Sequence, residues 1–100
     1  MHGEYKTPGG KLVVVDFEVA DAQLRQVEVS GDFFLYPEES LAAITGALDG
    51  LPSGTGEADI ALAVERAIPA GTELLGTSPT GLAIAVRRAL ASSPEGPPHS

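Results

Sequence analysis

The feature that most constrains the fold is a strict alternation of apolar and charged residues between positions 11 and 19. The apolar residues of one parity are Val13, Val15, Phe17 and Val19. Asp16 and Glu18 take the other parity. Successive side chains of a β-strand point to opposite faces, so this pattern predicts a strand with one buried face.

A second strand is predicted at 24–30, after a connection at 20–23 that has the length of a hairpin loop. Val27 and Val29 are expected to point inward. Gly31 interrupts the pattern, and Leu35 has the parity of Val29, which is consistent with a strand that resumes after a kink or bulge. The sequence therefore predicts an antiparallel hairpin over about 11–35.

Three segments with helical periodicity follow, at about 37–49, 57–68 and 79–91. Pro37 suits the first position of the first helix, and Ser78 suits the N-cap of the third. A short third strand or an extended segment is predicted near 73–76. Strands followed by helices indicate an α+β fold, with the three helices packed on one face of a small antiparallel sheet.

Both ends of the chain are expected to lie outside the regular structure. Residues 1–10 are predicted to form an arm, because proline lacks a backbone donor and consecutive glycines are unrestrained. Residues 92–100 are rich in proline and are predicted to form a disordered tail. The domain is therefore expected to span 1–91 as a single unit.

Charge and composition exclude several classes of function. The net charge is −8, from 14 acidic and 6 basic side chains, which argues against a nucleic-acid surface or an anionic membrane surface. The absence of cysteine excludes disulfides and thiolate chemistry and fits a reducing cytosol. With no signal-peptide pattern and no apolar run near ~20 residues, a cytoplasmic location is expected.

The sequence contains no motif of a self-sufficient enzyme. No nucleophile elbow, P-loop or dinucleotide fingerprint is present. His2 and His99 lie near the ends and are not spaced with other ligands as in metal sites, so neither a metal site nor a catalytic histidine is expected. The acidic pair at 38–39 and the basic pair at 87–88 are explained by the dipoles of their helices. No catalytic residue is predicted.

Asp32 follows Gly31 at the break between two stretches of predicted strand. Its carboxylate is expected either to accept hydrogen bonds from nearby amides and hold the bend, or to form a salt bridge with a lysine of the arm. Gly9, Gly10 and Lys11 are interpreted as a turn that leads into the first strand.

Two stretches resemble the small accessory domain of lipoate–protein ligases. They are Lys-Thr-Pro-Gly-Gly-Lys-Leu at 6–12 and Gly-Asp-Phe-Phe at 31–34, with Pro-Glu-Glu following at 37–39. The resemblance covers the chain to about Leu90. In such ligases a large domain binds lipoate and ATP, forms lipoyl-adenylate, and passes the lipoyl group to a lysine of an acceptor domain.

The resemblance implies that this chain is the accessory subunit of a bipartite ligase and is inactive alone. Its partner would be a separate catalytic subunit that uses ATP, Mg²⁺ and lipoate, and indirectly the lipoyl acceptor domains, while this chain alone binds no cofactor. Lys6, Gly9, Gly10 and Lys11 would lie near the partner or the nucleotide, and the bend at 31–32 would support them. A non-catalytic interaction or regulatory module unrelated to lipoylation is the alternative.

Overall fold

The computed structural model describes residues 1–7 and 11–91. Its five strands are β1 (His2–Lys6), β2 (Leu12–Ala20), β3 (Gln23–Gly31), β4 (Phe34–Tyr36) and β5 (Glu73–Leu75). Its three helices are α1 (Ser40–Leu48), α2 (Glu57–Ala67) and α3 (Pro79–Ala91). The strands form one antiparallel sheet of order β1-β2-β3 and a smaller antiparallel pair, β4-β5. The predicted α+β class is confirmed.

The predicted hairpin is formed by β2 and β3. Its loop consists of two residues with positive φ, Asp21 at 56° and Ala22 at 60°, the geometry that matches the twist of paired strands. The register shifts between Asp16 and Glu18, opposite Gln26, whose φ is 55°. This bulge reverses the parity of β3, so that Leu24 faces the core together with Val29.

The expectation of an arm over residues 1–10 is wrong for His2–Lys6. This segment is β1 and pairs with β2, with Gly3 opposite Val15. Gly3 is the reason the strand can lie there, since a Cβ at this position would be 2.3 Å from the carbonyl oxygen of Ala85 in α3. A strand that is placed by a close contact with a distant helix need not show apolar periodicity in its own sequence.

The segment after Gly31 does not continue the hairpin. β4 pairs with β5 instead, with Phe34 opposite Leu75. The strand predicted near 73–76 is therefore confirmed, whereas a resumed strand in the main sheet is not found. The amide of Asp32 donates to the oxygen of Leu12 at 2.9 Å, which is the last hydrogen bond between this segment and β2. After Asp32 the chain runs away from β2.

The helices agree with prediction except at the start of α1, which begins at Ser40 and not at Pro37. Residues 37–39 form a tight turn of consecutive i→i+3 bonds, such as Ser40 N to Pro37 O at 3.0 Å. The hydroxyl of buried Ser40 is 3.0 Å from that of Thr72, which joins this turn to the chain before β5. In α3 the predicted Ser78 cap is confirmed, since its Oγ accepts from the amide of Gly81 at 3.1 Å.

The helices cover one face of the main sheet, as predicted. α3 packs on β1 and β2, α1 packs on β3, and α2 lies against both α1 and α3. The core is aliphatic apart from one phenylalanine and consists of Val13, Val15, Phe17, Leu24, Val29, Leu35, Ile44, Leu48, Ile60, Val64, Leu82, Ala83, Ala85, Val86 and Ala89. The opposite sheet face carries the alternate residues, among them the exposed Glu4, Lys6 and Glu28.

Two further expectations concern the remaining sequence. The predicted tail, 92–100, lies outside the described residues. Over 1–7 and 11–91, no helix combines the length and the apolar character needed to cross a membrane.

Candidate functional site

The two predicted lysines lie on either side of the chain reversal between antiparallel β1 and β2, which is called the Lys6–Lys11 turn below. Lys6 ends β1 and pairs with Leu12. The next residue, Thr7, donates its amide to the oxygen of Lys11 at 2.7 Å, which closes the base of the turn. Gly9 and Gly10, also predicted as site residues, lie outside the described residues. The backbones of Lys6 and Lys11 therefore lie at the same end of the sheet.

The hydroxyl of Thr7 ties this turn to the chain that follows β5. Its Oγ1 lies 3.0 Å from the oxygen of Lys11 and 3.1 Å from that of Gly76, so its single proton is shared between them. Gly76 has a φ of 93°, and a Cβ there would be 3.2 Å from Cγ of Lys11. The side chain of Lys11 is thus packed at its base against Gly76.

Gly31 and Asp32 lie at the end of β3, against Leu12 and Val13 at the start of β2. Gly31 has a φ of 143°, and a Cβ at this position would lie 2.1 Å from the oxygen of Leu12. Only glycine fits such an approach without a shift of the backbone. Asp32 contributes its backbone amide to β2, and in the part of the chain that the structure describes its carboxylate has no hydrogen bond or salt bridge. The supporting role of the Asp32 side chain stays a prediction.

A shallow depression lies over the Lys6–Leu12 pair. Its lining residues are Glu4, Lys6, Leu12, Asp32 and Arg88. Two cations and two carboxylates therefore face the same space, and the depression is balanced in charge although the chain is acidic. It has no nucleophile or histidine in its lining. Such an arrangement offers charged groups of both signs to a ligand, and its lining contains no histidine to act as a general base.

Arg88 is the residue of this depression that sequence reasoning missed. Its Nη1 donates to the oxygen of Glu4 at 3.2 Å, and its guanidinium carbon lies 5.1 Å from the centre of the Tyr5 ring. In the sequence, the position of this arginine in the last turns of a predicted helix was a sufficient explanation for it. The available signal was the set of small residues, Gly3, Ala85 and Ala89, whose close packing brings β1 under α3.

His2 lies on the open sheet face between two carboxylates. Its Nε2 is 2.7 Å from Oε2 of Glu4, and its Nδ1 is 2.7 Å from Oδ1 of Asp16. These hydrogen bonds, the Glu4 bond first, raise the pKa of His2 above its ordinary 6.5. Within 1–7 and 11–91, no cluster of histidine and carboxylate side chains is arranged to hold a metal ion.

This fold recurs in an archaeal lipoylation system. The similar chain belongs to a solved structure of a bi-partite lipoate protein ligase and its E2 lipoyl domain from Thermoplasma acidophilum. The two chains share 23% identity with a TM-score of 0.66, and the match covers 87% of this chain and 98% of that chain. At this identity the comparison shows a shared fold. No family model matches the sequence, and no curated protein matches it.

Proposed function

We propose that this protein is the accessory subunit of a bipartite lipoate–protein ligase. It would support ATP-dependent formation of lipoyl-adenylate by a separate catalytic subunit, and hence the lipoylation of acceptor domains. The observation that carries the proposal is the position of Lys6 and Lys11 at the same end of the β1–β2 pair. The two lysines flank one connection between paired strands, and the hydroxyl of Thr7 joins it to Gly76, which follows β5. The shared fold with a chain of the archaeal system adds support.

The proposed contribution is electrostatic. Lys6 and Lys11 would approach the active site of the catalytic subunit and offset the negative charge that develops on ATP phosphates and departing pyrophosphate. Gly9 and Gly10 would allow close approach, since glycine has no side chain to clash. ATP, Mg²⁺ and lipoate are assigned to the catalytic subunit, and none to this chain alone.

The bend at Gly31 and Asp32 would support the turn from behind. The hydrogen bond from the amide of Asp32 and the close approach of Gly31 hold this part of the chain against Leu12 of β2. Leu12 is the residue that pairs with Lys6. Residues 1–7 and 11–91 of the proposed domain would act as one body that presents the Lys6–Lys11 turn to the catalytic subunit.

Reconstitution tests this function. The purified chain is mixed with the lipoate-ligase catalytic subunit encoded in the same genome, lipoate, Mg²⁺ and ATP, and pyrophosphate release is followed. We expect release well above the rate of the catalytic subunit alone. If the chain neither binds that subunit nor stimulates release, the proposed function is wrong.

Substitution of the lysines tests the electrostatic role. Lys6→Ala and Lys11→Ala are each expected to slow adenylate formation about tenfold or more, as the loss of a charged donor near developing negative charge does. Transfer from preformed lipoyl-adenylate should be nearly unchanged. Arg66→Ala, which removes an exposed cation from α2, is the matched control and should leave both half-reactions intact. Equal losses in both half-reactions would contradict the role.

A further inference from the structure

In the described part of the chain, the outer edge of β3 has backbone groups without a strand partner. The bond from the Asp32 amide to Leu12 sets the alternation of the β2–β3 ladder. Opposed residues of an antiparallel pair alternate between bonded and non-bonded pairs, so the amides and carbonyls of Val29 and Gly31 point away from β2.

The same edge is covered only over its first part. Leu24 donates to the oxygen of Leu51 at 2.9 Å and accepts from the amide of Gly50 at 2.7 Å. After the bulge at Gln26 this cover ends. Among the described residues, no backbone group pairs with the outward side of Val29 or Gly31. An open edge of this kind is a template for an added strand.

An apolar groove runs beside the uncovered part of the edge. Its apolar lining consists of Val29, Gly31, Phe33, Phe34, Leu35 and Leu41. Phe34 is 61% exposed, although the neighbouring Leu35 is buried in the core. Unpaired strand groups beside pockets for apolar side chains are the two elements by which proteins bind an extended segment.

The charged side chains along this groove all have one sign. Glu38 lies in its lining, and Glu28 joins it in the adjoining part of the groove between β3 and α1. Neither lining contains lysine or arginine. Complementary charge on an occupant would therefore be basic.

We infer that the outer edge of β3 binds an extended segment of the catalytic subunit that carries alternating apolar and basic residues. The segment adds as a strand to Val29 and Gly31, places an apolar side chain against Phe34, and sets lysine or arginine near Glu28 and Glu38. The partner's identity rests on the proposed function. The contact itself is separate from the Lys6–Lys11 turn, which acts on the nucleotide side.

A second copy of this chain is a poorer occupant of the same edge. Isologous pairing puts the same surface on both sides of the interface. Glu28 and Glu38 would then face carboxylates of their own kind, and like charges across a strand pair are destabilising.

Hydrogen exchange at residue resolution tests the added strand. The ¹⁵N-labelled chain is compared alone and in complex with the catalytic subunit. We expect the amides of Val29 and Gly31 to exchange at least about tenfold more slowly in the complex, because they gain bonds to the new strand. The amide of Leu24, which is already bonded to Leu51, should change far less and serves as an internal reference.

Charge reversal tests the chemistry of the occupant. Glu28→Lys with Glu38→Lys is expected to raise the Kd for the catalytic subunit about tenfold or more and to flatten its salt dependence. Glu18→Lys with Glu65→Lys makes the same change of net charge at two other exposed sites and should leave the Kd within about twofold. Circular dichroism of each variant checks that the fold is retained.

The outcomes separate this inference from the proposed function. Binding and stimulated pyrophosphate release, with unchanged exchange at Val29 and Gly31, would overturn the β3 contact alone. Equal Kd values for the two charge-reversed pairs would overturn the basic character of the occupant. If the unmodified chain does not bind the catalytic subunit, both proposals are wrong.

Discussion

The two outer edges of the main sheet are treated differently. On β1, the outward carbonyl of Glu4 is occupied by Arg88, and the neighbouring residues on the open face are charged. On β3, the outward backbone groups of Val29 and Gly31 have no partner among residues 1–7 and 11–91, and they lie beside an apolar groove. Long charged side chains over a strand edge hinder pairing with another chain, so Arg88 makes the β1 edge less accessible at Glu4.

The difference separates two kinds of contact. The β1 side carries Lys6 and Arg88, and the proposed function gives Lys6 an electrostatic role at the nucleotide. The β3 side offers backbone groups and apolar surface, the combination by which proteins bind an extended segment. A small domain can thus use one end of a sheet to influence chemistry and the opposite edge to hold its partner.

Gly3→Ala is the change with the largest expected effect, because the added methyl group would collide with α3, which packs on β1. A Cβ at Gly3 would lie 2.5 Å from the amide nitrogen of Ala89, on backbone that cannot rotate away. We expect a loss of at least about 3 kcal/mol in the free energy of unfolding, measured by urea denaturation.

Gly46→Ala is the matched control for Gly3→Ala. A Cβ at Gly46 in α1 meets nothing within 4 Å, so this change should stabilise the protein by about 0.5–1 kcal/mol through helix propensity. Similar effects of the two changes would show that β1 does not lie against α3 as described.

Gly31→Ala tests the other side of the sheet, at the end of β3. Both the positive φ and the clash with Leu12 oppose the methyl group, and we expect a loss of about 2–3 kcal/mol. Gly71→Ala isolates the backbone strain, because Gly71 has a φ of 88° but open space around its Cβ position. It should cost only about 1 kcal/mol by the same urea measurement. Equal losses would mean that the contact with Leu12 adds nothing.

Arg88→Ala removes the side chain that occupies the β1 edge. Loss of its bond to Glu4 and of its contact with Tyr5 should lower stability by about 1 kcal/mol. Amide exchange in β1 should accelerate. The adjacent Arg87→Ala loses a bond to Thr55 and should leave β1 exchange unchanged. The interpretation fails if both changes affect β1 alike.

The pH dependence at His2 is the smallest expected effect. The pKa of His2 is raised above 6.5 in the folded chain, so the protonated imidazole stabilises the start of β1 fully below pH 6.5. This contribution is lost as the pH rises through the raised pKa. Titration by NMR in a His99→Ala background should give the raised value. Glu4→Gln should lower it more than Asp16→Asn, because the Glu4 bond is the larger cause.

Local periodicity accounts for the elements that were predicted correctly. The alternation from Val13 to Val19 and the Ser78 cap of α3 are visible in adjacent residues, and the structure places them as expected. The β1 strand was missed because its pairing depends on Gly3, which contributes no side chain to any pattern. The bulge at Gln26 was missed for a related reason, since it is set by the pairing of two strands.

The candidate site shows the same division. The resemblance named Lys6 and Lys11, and the structure places them at the two ends of one turn. Arg88 could not be assigned to that region from the sequence, because it lies 84 residues after Glu4 in the chain. Contacts at such separation have no local signature.

By itself the sequence determined the α+β class, the β2–β3 hairpin and the three helices, since hydrophobic periodicity and capping depend on neighbouring residues. It also determined the absence of cysteine chemistry and the acidic character of the chain. Only the tertiary structure decided that β1 joins the sheet, that β4 pairs with β5, and that Arg88 covers the β1 edge at Glu4 while the β3 edge has no partner at Val29 and Gly31 among the described residues. These features depend on contacts between distant segments, such as the close approach of β1 to α3 at Gly3.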